Sequence, residues 1–373
     1  MTIIHEIETT QDLLKIIDNR EIHNYAFQSL DLRKFEDTLK TKNVTGCMFL
    51  GCELSPGFLS YLVKNGNFIF PKLEVPFNPY LAQLYTRATI YENFDYREPE
   101  SYALTPDSII YKYYMKTGAH QPESIHETLA QRLHDHSITD ALTGCLEKYD
   151  KKLIIAVMGG HSLFLIDDDY RKVAFMTKRL SEQGFVLLSG GGPGAMEATH
   201  LGAYFHGRSP EDLENALELL SEAPSYSDKY WLSKAFEVIE KYPKHSGVEN
   251  DIGIPTWMYG HEPPTPFASK IAKYFANSVR GEGLLALAKG GIIYSPGSAG
   301  TIQEIFQDAA QNHYRSYGVV SPMIFYNSRY WTEEKPVFPL LQQLAKDREY
   351  HKYLYLADDE EEVVRCLREF NGM

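Results

Sequence analysis

Three times after residue 150 a short apolar run ends in a glycine-rich turn and passes at once into a segment of helical spacing. No other feature restricts the fold as much. The runs are Leu153–Met158 before Gly159-Gly160-His161-Ser162, Phe185–Ser189 before Gly190-Gly191-Gly192-Pro193-Gly194, and Gly291–Ser295 before Pro296-Gly297-Ser298-Ala299-Gly300. Runs this short and this uniformly apolar suit strands buried on both faces. Val173, Met176, Thr177 and Leu180 mark one helix face after the first turn, which Gly184 closes. A helix starts near Ala195 after the second, and Ile302, Ile305, Phe306, Ala309 and Ala310 mark another after the third. Strands alternating with helices call for an α/β fold with a parallel sheet covered by helices on both faces. Such sheets bind ligands beyond the carboxyl ends of their strands, where the turns lie.

The same pattern predicts strands over Ile252–Trp257 and Val319–Tyr326 and a helix over Phe267–Ala288. The polar, acidic stretch Ser209–Glu249, with Leu213, Leu217 and Leu220 at helical spacing, is expected to form a surface insertion. At 373 residues the chain is long for one domain, and the pattern divides it into residues 1–150 and 151–373. In the first part, Cys47–Gly51 and Asn67–Phe70 are expected to be strands around a helix over Pro56–Asn65, a small accessory α/β domain. Glu123–Lys148 is expected to be helical, and no internal repeat is evident.

The 50 acidic and 37 basic residues give a formal charge of −13, without any run rich in Lys and Arg. Binding to nucleic acid, which needs clustered cations against phosphates, is therefore not expected. A small anion held locally by backbone dipoles remains compatible with this charge. Cys47, Cys52, Cys145 and Cys366 form no CxxC pair, so reduced thiols are expected. The N-terminus lacks the pattern of a signal peptide, and no segment approaches the roughly 20 apolar residues of a membrane span. These features fit a cytoplasmic protein with no membrane partner.

The turn at Pro296–Thr301 reads as an anion site. The backbone N–H groups of Gly297, Ser298, Ala299, Gly300 and Thr301 sit at a helix start, where they lack intrahelical partners and face a ligand. The Thr301 hydroxyl adds a donor, and the dipole favours an ionised Glu304 in the first turn. The other two turns are either tight connections or further walls of the same pocket, with Gly160, Ser162, Gly191, Gly192, Gly194, Met196 and Glu197 as candidates to hold a phosphate or nucleotide. Gly190-x-Gly192-x-x-Ala195 matches the dinucleotide fingerprint, but the position about 20 residues on falls in the polar stretch, which argues against NAD. His134-Asp135-His136 cannot place both imidazoles on one side of a helix, and Asp167-Asp168-Asp169 stands where helix caps do. No metal site is expected.

Two of these segments resemble a known family. Pro296-Gly297-Ser298-Ala299-Gly300-Thr301-Ile302-Gln303-Glu304 is similar to the PGGxGTxxE signature of the LOG (Lonely Guy) family, long labelled lysine decarboxylases. Gly190-Gly191-Gly192-Pro193-Gly194-Ala195-Met196-Glu197-Ala198 is similar to the GGGPGxMEA turn of its larger members. The resemblance covers residues 153 to about 370, and the N-terminal part resembles the extra domain of long members. It implies a modified Rossmann fold, a homodimer or larger assembly, no cofactor, and phosphoribohydrolase activity: cleavage of the N-glycosidic bond of a nucleoside 5′-monophosphate to free base and ribose 5-phosphate. By the same resemblance Glu304 and Arg280 form the catalytic pair. Arg280 stands one residue out of the usual register, and Ser298 replaces the second glycine of the signature.

These residue types suit the reaction. Breaking a ribosyl–base bond develops oxocarbenium character, which a carboxylate near the anomeric carbon stabilises while it orients or deprotonates water. Glu304 can take that role, or it can merely offset the helix dipole. Arg280 can hold phosphate or ribose and keep Glu304 ionised, or it can form a surface pair with Glu282. Protonation of the leaving base falls to water or to the loop carrying His261 and Glu262. The alternative to an enzyme is a nucleotide-binding carrier or sensor with the same pocket. Decarboxylation with pyridoxal phosphate has no support beyond the old label.

Overall fold

The computed structural model describes residues 4–245 and 247–372, so Met1, Thr2 and Ile3, on which part of the N-terminal reading rests, lie outside the described residues. The chain divides into two compact units. One comprises residues up to Leu84 together with Lys116–Cys145, and the other Tyr85–Met115 together with residues from Leu146 onwards. The boundary therefore differs from the expected division at residue 150. Tyr85–Met115 belongs with the second unit because its polar groups are satisfied there. The Tyr85 carbonyl accepts from Ile271 N at 2.7 Å and Arg87 donates to the Pro266 carbonyl at 2.9 Å. Lys273 donates to Asp107 at 2.5 Å with both side chains fully buried.

The first unit carries β1 (His5–Ile7), β2 (Glu21–His23), β3 (Tyr25–Gln28), β4 (Asn43–Thr45), β5 (Met48–Leu50) and β6 (Phe68–Phe70). They form two parallel sheets, of order β1-β3-β5-β6 and β2-β4. Paired positions lie 20 or 22 residues apart at every step. The backbone thus repeats as a short solenoid, a repeat the sequence conceals because equivalent core positions carry different residues: Ile7, Phe27, Phe49 and Ile69 stand in one inward row. The helices α1 (Thr10–Ile16), α2 (Glu36–Lys40) and α3 (Pro56–Lys64) close the coils. After α4 (Arg87–Ile90) and α5 (Pro106–Lys116), the long α6 (Ile125–Glu147) occupies the expected position. His134 is buried edge-on against Phe77 while His136 is exposed, so the two imidazoles leave the helix on different sides.

The second unit is built on a seven-stranded, wholly parallel sheet of order β10-β9-β8-β7-β11-β12-β13. Its strands are β7 (Ile154–Met158), β8 (Val186–Ser189), β9 (Asp251–Gly253), β10 (Lys270–Ile271), β11 (Gly291–Tyr294), β12 (Met323–Tyr326) and β13 (Leu354–Ala357). The helices are α7 (Asp168–Glu182), α8 (Ala195–Tyr204), α9 (Pro210–Leu220), α10 (Trp231–Lys241), α11 (Asn277–Leu287), α12 (Ala299–Tyr314), α13 (Val337–Ala345) and α14 (Glu360–Asn371). This is the expected modified Rossmann architecture. The central strands are buried throughout, as their unbroken apolar runs require. From β7 the chain winds outward through β8, β9 and β10, then returns to place β11 on the other side of β7. The sheet's topological switch point therefore lies between β7 and β11, at Met158 and Tyr294.

Three local expectations change. Only α11 is helical within residues 267–288, because Lys270 and Ile271 are drawn into the sheet beside β9. The strand expected over Ile252–Trp257 is limited to β9, since the next residues turn through Pro255. The polar stretch 209–249 does more than cover the surface: Leu213, Leu217, Leu220, Trp231, Ala235 and Val238 are all buried. No helix among the described residues is long and apolar enough to cross a membrane.

The Lys273–Asp107 pair, to which Tyr102 adds a hydroxyl donor at 2.8 Å, yields a direct test of this packing. Lys273→Met strands a buried carboxylate and is expected to lower the unfolding free energy by about 3–5 kcal/mol in denaturant titration. Exchanging both residues for apolar ones of similar volume is expected to recover most of that loss.

Candidate active site

Two backbone hydrogen bonds lock the three glycine turns together at the switch point. Gly160 N donates to the Pro296 carbonyl at 3.0 Å, and Ala195 N donates to the Gly160 carbonyl at 3.1 Å. Close approach demands glycine here: a Cβ on Gly159 would collide with the Ser295 hydroxyl. Gly194, at φ +70°, is in the left-handed region as well, and a Cβ there would collide with the Gly160 carbonyl. The three turns, expected to be either connections or walls of one pocket, are walls of one pocket.

That pocket has a volume of about 410 Å³, within the range of small-molecule sites. Gly160, Ser162, Gly192, Met196, Arg280, Ser298, Ala299, Gly300, Thr301 and Glu304 line it as expected. Gly191, Gly194, Glu197 and Gly297 do not. Gly191 is turned back onto the loop after β9, its carbonyl accepting from Thr265 N at 2.8 Å. The Gly297 carbonyl takes the Tyr330 hydroxyl at 2.5 Å. Gly194 and Glu197 instead line a neighbouring cavity of about 150 Å³, with Phe164, Tyr226 and Trp231. Gly159, His161 and Gly190, from the turns read as possible walls, also line the main pocket, and Met158, Pro255, Thr256 and Tyr259 on its wall were not singled out from the sequence. Glu262, expected only as one of two loop candidates, is on that wall; His261 is not.

Helix α12 begins at Ala299, so the N–H groups of Ala299, Gly300 and Thr301 at the pocket wall have no preceding-turn carbonyl to bond. Ser298 has φ −110°, so the serine in place of glycine requires no left-handed backbone. Its hydroxyl accepts from the Lys335 ammonium at 3.1 Å, which sets a cation beside the start of α12. Nothing in the sequence around Lys335 signals that role; the turn at Tyr330–Glu334 brings it back to the α12 start.

Arg280 on α11 and Glu304 on α12 face each other, with Nη1 3.6 Å from Oε1. The pairing of Arg280 with Glu282 does not occur; Glu282 accepts instead from the Tyr317 hydroxyl at 3.0 Å. Arg280 Nε donates to the Ile254 carbonyl at 2.7 Å, which fixes the plane of the guanidinium. Burial raises the Glu304 carboxyl above its ordinary value, and the Arg280 charge opposes that rise in part. The result is a carboxylate, a guanidinium and a row of backbone donors around one small space.

The second turn is held from below. Gly191 N donates to Ser189 Oγ at 3.0 Å, Ser189 Oγ is 2.8 Å from His200 Nε2, and His200 Nδ1 is 2.9 Å from Asp251 Oδ2. With Nδ1–H directed to Asp251, Nε2 accepts from the serine. The order matches a hydrolytic triad, but Ser189, His200 and Asp251 are fully buried and the serine already holds the Gly191 amide. It braces the turn and attacks nothing. Burial alone would raise Asp251; Lys244, His200 and Ser269 more than offset it and hold the carboxyl well below its ordinary range.

Two fully buried carboxyls are displaced furthest upwards by burial. Glu197, which accepts from the Trp231 indole at 3.3 Å, is pushed from 4.5 to about 8, and Asp308, which accepts from the Tyr294 hydroxyl at 2.8 Å, from 3.8 to about 7. The folded chain therefore holds more protons than the unfolded chain between the ordinary carboxylate values and these raised ones. The stability these groups contribute is full below that window and is lost as pH rises through it. The melting temperature is expected to fall between about pH 5 and about pH 8, and Glu197→Gln is expected to flatten part of that slope in differential scanning calorimetry.

No protein-family model matches the chain, and no curated protein matches it. Among solved structures it is similar to the molybdenum cofactor binding protein from the phototrophic bacterium Rippkaea orientalis, at 16% identity over 58% of this chain and 96% of that one, with a TM-score of 0.36. It is also similar to the Moco carrier protein from Chlamydomonas reinhardtii, at 14% identity over 59% and 97% of the two chains, with a TM-score of 0.37. At these identities and TM-scores the likeness carries no argument about ligand or activity.

Proposed function

We propose that this pocket binds a nucleoside 5′-monophosphate and hydrolyses its N-glycosidic bond, releasing free base and ribose 5-phosphate. The observation that carries the reading is the Arg280–Glu304 pair set beside the exposed amides of a helix start within one pocket. The amides of Ala299 to Thr301, with Lys335 behind Ser298, suit the phosphate. Glu304 then lies towards the sugar, where its charge stabilises the oxocarbenium-like transition state and its oxygen accepts a proton from the attacking water. Arg280 favours the ionised form of Glu304 and offsets part of the effect of burial. The reaction consumes only nucleotide and water and so needs no cofactor. Assembly into a homodimer or larger oligomer is part of the same proposal.

A chromatographic screen of natural monophosphates for base release tests the reading. Glu304→Gln is expected to lower turnover on the responsive nucleotide by about 10²–10⁴-fold while calorimetric nucleotide affinity is retained. Undiminished turnover removes Glu304 from the mechanism. Binding without release of base from any monophosphate identifies a carrier or sensor instead. Because burial raises the Glu304 carboxyl and the reaction needs its ionised form, kcat is expected to fall on acidification with a midpoint above the ordinary 4.5.

A further inference from the structure

The main pocket contains a second carboxyl group, and its surroundings differ from those of Glu304. Glu262 lines the wall with its side chain 14% exposed, at the end of a turn closed by its own N–H donating to the Tyr259 carbonyl at 2.9 Å. Its two oxygens face different ways. Oε1 lies 4.0 Å from His161 Nε2 and 3.7 Å from His261 Nε2, two imidazoles that are more than half exposed. Oε2 lies towards the Gly190–Gly192 turn, 3.6 Å from where a Cβ on Gly192 would stand. The Arg280 guanidinium abuts the same turn at Gly190. One glycine turn therefore has the Arg280–Glu304 pair at one end and Glu262 at the other.

Resting on the hydrolytic reading above, we infer that Glu262 is the general acid for the departing base. As the C1′–N bond breaks, its electron pair passes to the base nitrogen, which takes a proton from Glu262 Oε2. Water adds to C1′ and gives a proton to Glu304. Solvent, which reaches Oε1 beside the exposed His161 and His261, returns a proton to Glu262 and takes the one left on Glu304. Nucleotide and water become base and ribose 5-phosphate with every proton accounted for. The two carboxyl groups divide the work, one assisting the nucleophile and the other the leaving group, as inverting glycoside hydrolysis requires.

A leaving group that departs without a proton distinguishes this role from a structural one. Nicotinamide mononucleotide and 7-methylguanosine monophosphate carry a positive charge on the base and release it by bond cleavage alone. With the full-length chain, Glu262→Gln is expected to lose about 100-fold or more in kcat on AMP, or on the best neutral-base monophosphate. Its rate on the cationic nucleotides is expected to stay close to that of the unaltered chain. If neither cationic nucleotide is a substrate, the readout is rescue of Glu262→Ala on the neutral-base nucleotide by added acetic acid. Equal losses on both kinds of leaving group, no loss on either, or failure of rescue in that second format each overturn the assignment. Inertness of the unaltered chain towards every monophosphate is a separate result: it overturns the parent hydrolytic reading and this assignment with it.

Discussion

The hydrogen bonds from Gly160 to Pro296 and from Ala195 to Gly160 are the constraint on which the rest of the second unit depends. A doubly wound sheet leaves a crevice wherever its winding reverses. Here the reversal lies between β7 and β11, and the backbones of the three turns meet at its base. That is why the close-packed positions are glycines: Gly159 has to accept Ser295 against it, and Gly194 has to accept the Gly160 carbonyl. Side chains at these positions would separate the turns and with them the helix starts. The pocket is thus a by-product of close backbone packing at the switch point, and such packing gives a firm base on which to mount reactive groups.

Electrostatics follow from the same packing. The chain has a formal charge of −13, yet the pocket it builds presents amide donors and Arg280 together with two glutamates, with Lys335 bonded to Ser298 at its edge. Backbone amides carry no net charge and are indifferent to the overall balance, so a local anion site coexists with an acidic protein. Beneath the surface the solution is reversed: Glu197 and Asp308 avoid the cost of buried charge by holding their protons, while Asp251 keeps its charge because Lys244 and His200 face it. Three buried carboxyls thus reach two protonation states, set by whether a cation or only neutral donors reach them.

Much of the second unit was legible because its signals are local. A five-residue apolar run, a glycine turn and a helix are adjacent in sequence, and β7, β8, β11 and the helices after them lie where that pattern puts them. Glu304 stood out locally as a carboxylate beside the helix start, whereas Arg280 was legible only through the family resemblance, since nothing local to α11 announces that it turns towards α12. Information that is long-range in the chain was not legible. Lys273 and Asp107 meet across 166 residues, and with them Tyr85–Met115 joins the second unit. The solenoid of the first unit repeats in backbone register but not in residue type, because a core row accepts isoleucine and phenylalanine alike. Lys270 and Ile271 look helical in isolation and become a strand only because β9 offers an edge. Lys335 and Glu262 had no local signal of sufficient weight, each being an ordinary charged residue in a polar segment.

Ser298 shows how such long-range placement changes the meaning of a local departure. Read against the glycine-rich signature, a serine there suggests strain or a distorted turn. Its φ of −110° removes the steric objection, because glycine is required only where φ is positive. What the serine adds is a hydroxyl that accepts from Lys335. The Gly297 carbonyl accepts from the same ammonium at 3.4 Å, and the serine gives the lysine's flexible stem a second, closer anchor. The substitution therefore exchanges backbone freedom for a further acceptor that draws a cation to the helix N-terminus. Helix amides and an ammonium act in the same direction on an anion, so the departure from the signature strengthens the feature for which the signature is read.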